Sequence, residues 1–94
     1  MIAAPYLLYL GHSDDPVGIK TSRGLAAFRR DDCVGEFRHD DCRLTLGLSR
    51  LSIDEARAAG ARTLVLGIAN AGGVLDQSLV DDALMAIAAG MDVA

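Results

Sequence analysis

The sequence predicts an α/β domain built on a parallel sheet, and three observations lead there. Tyr6–Leu10 is an unbroken apolar run, the pattern of a strand buried on both faces. Strand-like and helix-like stretches then alternate in the order β-α-β-α-β-α-β, which calls for right-handed crossovers between parallel strands. Glycines punctuate the ends of these stretches, at Gly11, Gly60, Gly67 and Gly90.

The elements follow in order. After the first strand comes a loop, Gly11–Asp15, in which Asp15 is placed to cap a helix and Pro16 suits its first turn. Val17, Thr21, Gly24, Leu25 and Phe28 share one face of that helix, with Gly24 expected to allow close approach to the sheet. Arg29–Asp32 reads as a charged turn, Cys33–Phe37 as a second strand and Arg38–Arg43 as a polar loop. Leu44, Leu46 and Leu48 alternate, as either a short strand or an extended arm packed on the core. Ser52 and Glu55 form a capping box for a helix over Ile53–Ala59, which ends at Gly60 as a left-handed cap. Arg62–Gly67 is the third strand. Leu75, Leu79, Ala83, Leu84 and Ile87 mark the buried face of a further helix, with Asp76, Gln77, Asp81 and Asp82 on its solvent side. Met91–Ala94 opens a fourth strand, and the chain is expected to be a fragment of a longer protein.

Composition narrows the function. The 94 residues are 51% hydrophobic and 23% charged, which suits one globular domain. Only 4% are aromatic, so small aliphatic side chains must fill the core. The net charge of −4 and the scattered arginines argue against binding nucleic acid or an anionic membrane. The apolar N-terminal run is too short to span a bilayer and has no basic residue before it. Two cysteines without a secretory signal fit free thiols in the cytoplasm.

Five features are candidates for chemistry. "GIKTS" at Gly18–Ser22 resembles the tail of a P-loop, but Ile19 separates Gly18 from Lys20 and the upstream glycine is missing. Lys20 is then a helix residue that can still point its ammonium at an anion. The loop with Gly67, Asn70, Gly72 and Gly73 follows the third strand rather than the first and departs from the dinucleotide fingerprint. Its plain reading is a turn; its functional reading is a ligand edge, with Asn70 as a polar contact and the Gly72–Gly73 amides as anion donors. Cys33, His39 and Cys42 lack the paired spacing of a zinc site. His12 follows the first strand, where a general base is conceivable, but no nucleophile motif is near it in sequence and a surface histidine is the favoured reading. The aspartate pairs at 14–15, 31–32, 40–41 and 81–82 read as solvation and capping rather than as a Mg²⁺ site.

Together, "PYLLYLG", "KTSRGLAAFR", "CVGE", "LGL" and "GARTLVLGIANAGG" resemble the N-terminal domain of a bacterial and archaeal family long catalogued as a domain of unknown function. Its full-length members are similar to D-glutamate N-acetyltransferases and often accompany dipeptide epimerases. The resemblance implies a Rossmann-like three-layer αβα sandwich with a mainly parallel sheet of about four strands. It implies a following P-loop domain as partner, and acetyl-CoA and a nucleotide as ligands of the longer protein rather than of these residues alone. Lys20, Thr21, Gly24, Arg29, Gly67, Asn70, Gly72 and Gly73 match the family pattern. With Gly11 and His12 added from the first loop, the candidate ligand residues are Gly11, His12, Lys20, Thr21, Gly67, Asn70, Gly72 and Gly73.

The expected function is an accessory N-terminal domain that lines a substrate cleft of a cytoplasmic N-acyltransferase and aids its assembly. The alternative is a non-catalytic small-molecule binding, regulatory or oligomerisation module. Apolar surface left exposed by a missing partner is expected to drive homo-oligomer formation.

Overall fold

The computed structural model describes residues 3–13, 16–67 and 77–94. Four parallel strands form one sheet among them: β1 (Tyr6–Gly11), β2 (Cys33–Arg38), β3 (Thr63–Val65) and β4 (Asp92–Val93), in the order β2-β1-β3-β4. The helices are α1 (Lys20–Phe28), α2 (Ile53–Ala58) and α3 (Gln77–Ala88). Chain progression runs from β1 outward to β2, then back across to β3. The two strands that flank this reversal are β1 and β3. Their carboxyl ends therefore form the crevice where open α/β sheets bind ligands.

The apolar run of β1 is central because every one of its residues is buried. Its side chains alternate between two cores. Leu7 and Tyr9 pack with Leu64 against Ile53 and Ala56 of α2 and Ala86 of α3. Leu8 packs with Val65 against Ala26 of α1 on the other face. This gives the expected three layers. Each fully buried Leu of this kind contributes about 1.5–3 kcal/mol.

The helical faces differ from the periodic reading in two places. A 3₁₀ turn over Pro16–Ile19 leads into α1 and winds with three residues per turn. It advances the phase, so Ile19, Ser22 and Ala26 turn inward. Thr21 is exposed and Phe28 is 89% exposed, against the expectation that both face the core. A Cβ on Gly24 would meet nothing within 4 Å, so close helix–sheet approach is not its role. In α3 the expected solvent-side residue Asp82 is buried with Ala86, while Leu84 and Ile87 are more than half exposed. The physical reason is a polar anchor: Tyr9 donates its hydroxyl hydrogen to Asp82 Oδ2 at 2.6 Å and holds that side of α3 on the sheet. Asp15 as a cap and Leu75 and Asp76 in α3 lie outside the described residues.

Leu44, Leu46 and Leu48 form an extended arm rather than a strand, partly buried against the cores. The arm is tied to Glu36 of β2. That fully buried carboxylate accepts from the backbone N–H groups of Leu46 (2.8 Å) and Leu48 (3.2 Å), from Thr45 Oγ1 (3.1 Å) and from Arg38 Nε (3.0 Å). The Glu36 backbone pairs with Ser49 and Leu51. The open edge of β2 is thereby covered.

The capping box forms as read: Glu55 N–H donates to Ser52 Oγ at 3.1 Å, and Ser52 N–H to Glu55 Oε1 at 2.9 Å. Gly60 follows with φ 96°. Cys33 and Cys42 are free thiols. No helix among the described residues is long and apolar enough to cross a membrane.

Two outcomes follow from this packing. Glu36→Ala leaves Arg38 and two arm amides without their acceptor and should cost about 3–5 kcal/mol in urea unfolding, with Glu36→Gln costing less. Burial, with Asp32 beside it, pushes the Cys33 thiol up, which leaves less thiolate than a free cysteine carries. Its alkylation by iodoacetamide at mildly alkaline pH should be slower than that of a free cysteine, as read by mass spectrometry.

Candidate functional site

Strand register brings together two histidines that lie far apart in sequence. β1 and β2 run parallel with Tyr9 opposite Phe37 and Gly11 opposite Arg38. The ladder continues one step further, where His39 N–H donates to Gly11 O at 2.9 Å. His12 and His39 are the next residues out. Their rings stack at 4.0 Å and 8°. Below them Tyr9 and Phe37 stack at 5.5 Å, and Phe37 meets His39 edge-on.

Two tight turns hold the histidines. Ser13 N–H donates to Leu10 O, and Cys42 N–H to His39 O, both at 3.0 Å. The first turn requires Gly11: its φ is +59°, and a Cβ there would lie 2.7 Å from the Tyr9 ring. The second turn swings Asp41 back over His12.

Each histidine then has its own carboxylate. His12 Nδ1 lies 2.6 Å from Asp41 Oδ1, and its Nε2 lies 3.0 Å from Ser78 Oγ of α3. Asp41 thus favours the tautomer with hydrogen on Nδ1, which leaves Nε2 to accept from the serine hydroxyl. His39 Nε2 lies 2.7 Å from Asp82 Oδ2, the atom that also accepts from Tyr9. The two pairs differ in burial. Asp82 is 6% exposed, whereas the His12 and Asp41 side chains are 41% and 69% exposed. The inner pair has a buried carboxylate; both members of the outer pair are exposed.

Beside His39 lies an open cleft of about 430 Å³, lined in part by Arg38, Asp40, Arg50, Ser52 and Glu55. Its charges are largely matched within the chain. Arg50 Nη2 binds Asp40 Oδ1 at 2.6 Å and holds that carboxyl below its usual range. Arg38 binds Glu36, and Glu55 is engaged in the helix cap.

The described candidate ligand residues fall at the same end of the sheet. Gly11 ends β1 and Gly67 follows β3, its neighbour. Gly67 has φ +51°, and a Cβ on it would lie 2.5 Å from Ser22 Oγ of α1. That buried hydroxyl has no hydrogen-bond partner among the described residues. Lys20 and Thr21 open α1 and are exposed. Asn70, Gly72 and Gly73 lie outside the described residues. His12 lies at the surface, as expected, with a hydrogen-bond partner on each ring nitrogen. The residues that sequence reasoning did not assemble are Tyr9, His39, Asp41, Ser78 and Asp82. One signal was available: "HDD" directly follows the second strand, and parallel pairing with β1 sets it beside His12.

The inner anchor gives a measurable consequence. Tyr9→Phe removes a hydrogen bond to a buried carboxylate and should lower stability by about 1.5–3 kcal/mol in urea unfolding. Because Asp82 also orients His39, the histidine ring resonances should shift in NMR spectra of the same variant.

Comparison with known proteins agrees with this architecture. The chain is 40% identical over 94 residues to a D-glutamate N-acetyltransferase of Tritonibacter scottomollicae. It is 44% identical over 92 residues to a D-glutamate N-acetyltransferase of a Pseudoalteromonas species. The alignments cover 100% and 98% of this chain but 28% of each relative. A family model described as a domain of unknown function, DUF1611_N, a Rossmann-like domain, matches residues 38–94. With that match over more than half its length, the chain belongs to the DUF1611_N family of Rossmann-like domains.

Proposed function

We propose that this chain is the N-terminal domain of an amino-acid N-acetyltransferase that takes D-glutamate as acceptor and acetyl-CoA as donor. The names of its relatives support that class, and the chain's alignment to little more than a quarter of each supports a further domain in the working enzyme. The observation that carries the reading is the Asp41–His12 pair at the carboxyl end of the sheet. N-acetylation requires an amine stripped of its extra proton. An imidazole oriented by a carboxylate and open to solvent is a group suited to that removal.

In this reading the sheet edge forms one wall of the acceptor cleft. His12 accepts a proton at Nε2, and Asp41 steadies the positive ring that results. Lys20 and Thr21 at the start of α1, with Gly11 and Gly67, border the same crevice and would meet anionic parts of either substrate. Acetyl-CoA supplies the activated acyl carbon, and the larger remaining domain supplies most of its binding, including any nucleotide site of P-loop type. The exposed Leu84, Met85 and Ile87 on α3 offer apolar surface for that domain or for a second subunit. The location is cytoplasmic, where acetyl-CoA is made.

The test is acetyl transfer by the full-length protein. Wild type should acetylate D-glutamate, and His12→Asn should lower kcat by roughly 10²–10⁴-fold with little change in KM. A full-length protein that consumes no acetyl-CoA with any acidic amino acid would remove this reading.

A further inference from the structure

The hydrogen-bonded chain through His12 does not end on the imidazole. It continues to Ser78, so a carboxylate, an imidazole and a hydroxyl stand in series: Asp41 Oδ1 to His12 Nδ1 at 2.6 Å, and His12 Nε2 to Ser78 Oγ at 3.0 Å. They come from three separate parts of the chain: the turn after β1, the turn after β2, and α3. Both distances lie within the range at which a base can take a nucleophile's proton. The His12 ring cannot swing freely, since it stacks on His39, which is itself fixed by Asp82. Ser78 is only partly buried, and His12 and Asp41 are exposed. In the Asp82–His39–Tyr9 group, Asp82 accepts from a buried phenol rather than from an aliphatic hydroxyl.

We propose that Ser78 is a covalent nucleophile which takes the acyl group of a thioester before it is passed to an amine. This rests on the N-acetyltransferase reading for the identity of the acceptor, but the serine chemistry needs only an acyl thioester. In the first half, Ser78 Oγ bonds to the acyl carbon and its proton passes to His12 Nε2. The carbon–sulfur bond breaks, and the leaving sulfur takes that proton as a free thiol. The acyl group is now an ester on Ser78. In the second half the neutral amine of the acceptor attacks the ester carbon and gives one proton to His12 Nε2. The carbon–oxygen bond breaks, and the proton returns to Ser78 Oγ. Thioester and amine have become amide and thiol, and the protein is unchanged. Asp41 acts as a positioning residue, holding the tautomer that leaves Nε2 able to accept.

The experiment is an exchange measurement on the full-length protein without any acceptor. Labelled coenzyme A is mixed with unlabelled acetyl-CoA, and label appearing in acetyl-CoA is followed. A covalent acyl-serine makes this exchange possible with no amine present. Exchange is expected in wild type, and acid-quenched protein should carry one acetyl group on the peptide that contains Ser78. Ser78→Ala and His12→Asn should both abolish exchange. Ser78→Cys, which keeps a nucleophile at that position, should still become acetylated. Asp41→Asn should slow exchange and change its pH profile, which loss of folding alone would not do. Circular dichroism establishes that each variant is folded. Absence of exchange and of any acetyl-Ser78 in a wild-type protein that still acetylates D-glutamate would overturn the proposal while leaving the acceptor reading intact. Exchange through Ser78 without transfer to D-glutamate would do the reverse.

Discussion

The buried carboxylate of Glu36 holds the edge of the sheet in place. An edge strand exposes a row of unpaired backbone groups, and β2 would do so without help. Glu36 binds two amides, one hydroxyl and one guanidinium with its side chain, while its backbone ties to Ser49 and Leu51. A charged group with no exposure is tolerated because its oxygens are met by donors. One residue thus ties the 45–51 segment to β2. With that edge covered on one side, pairing with β1 on the other holds the end of β2 and the turn with His39 and Asp41 beyond it.

The site grows out of that fixed end by simple register. Parallel pairing of β1 with β2 sets aromatic side chains in step: Tyr9 on Phe37, then His12 on His39. Two neighbouring imidazoles, each with its own carboxylate, are a concentrated source of acid–base chemistry. Burial separates their roles. Asp82 is enclosed, shares its oxygen between Tyr9 and His39, and fastens α3 to the sheet. Asp41 stands in solvent and leaves the far side of His12 accessible. The same pair of residue types therefore has an enclosed carboxylate in one place and an exposed one in the other.

Family membership fits this arrangement of strands. Rossmann-like domains gather function at the carboxyl ends of their strands, and here the histidine stack, Gly11, Gly67 and the start of α1 all lie there. The chain spans little more than a quarter of each relative's length, and its α3 carries exposed apolar side chains at Leu84, Met85 and Ile87.

Local sequence settled the frame. The apolar run Tyr6–Leu10 marked a central strand, because only a strand covered on both faces can be apolar throughout. Ser52 with Glu55 marked the start of α2, and Gly60 its end, because caps and left-handed residues act within a single turn. Side-chain facing was less legible. Phe28 and Ile87 follow helical spacing yet face outward, since a 3₁₀ turn shifts the phase of α1 and the Tyr9–Asp82 bond sets the roll of α3. The site was legible only in pieces. His12 and the pair Asp40–Asp41 were visible as residues, but Ser78 is 66 positions from His12 and no local pattern joins them. Strand order and register decide such meetings. The sequence alone determined which segments become strands and helices, since that depends on spacing between near neighbours. Only the tertiary structure decided which carboxylate is buried, which histidine is open and which serine it reaches, because those depend on contacts between distant segments.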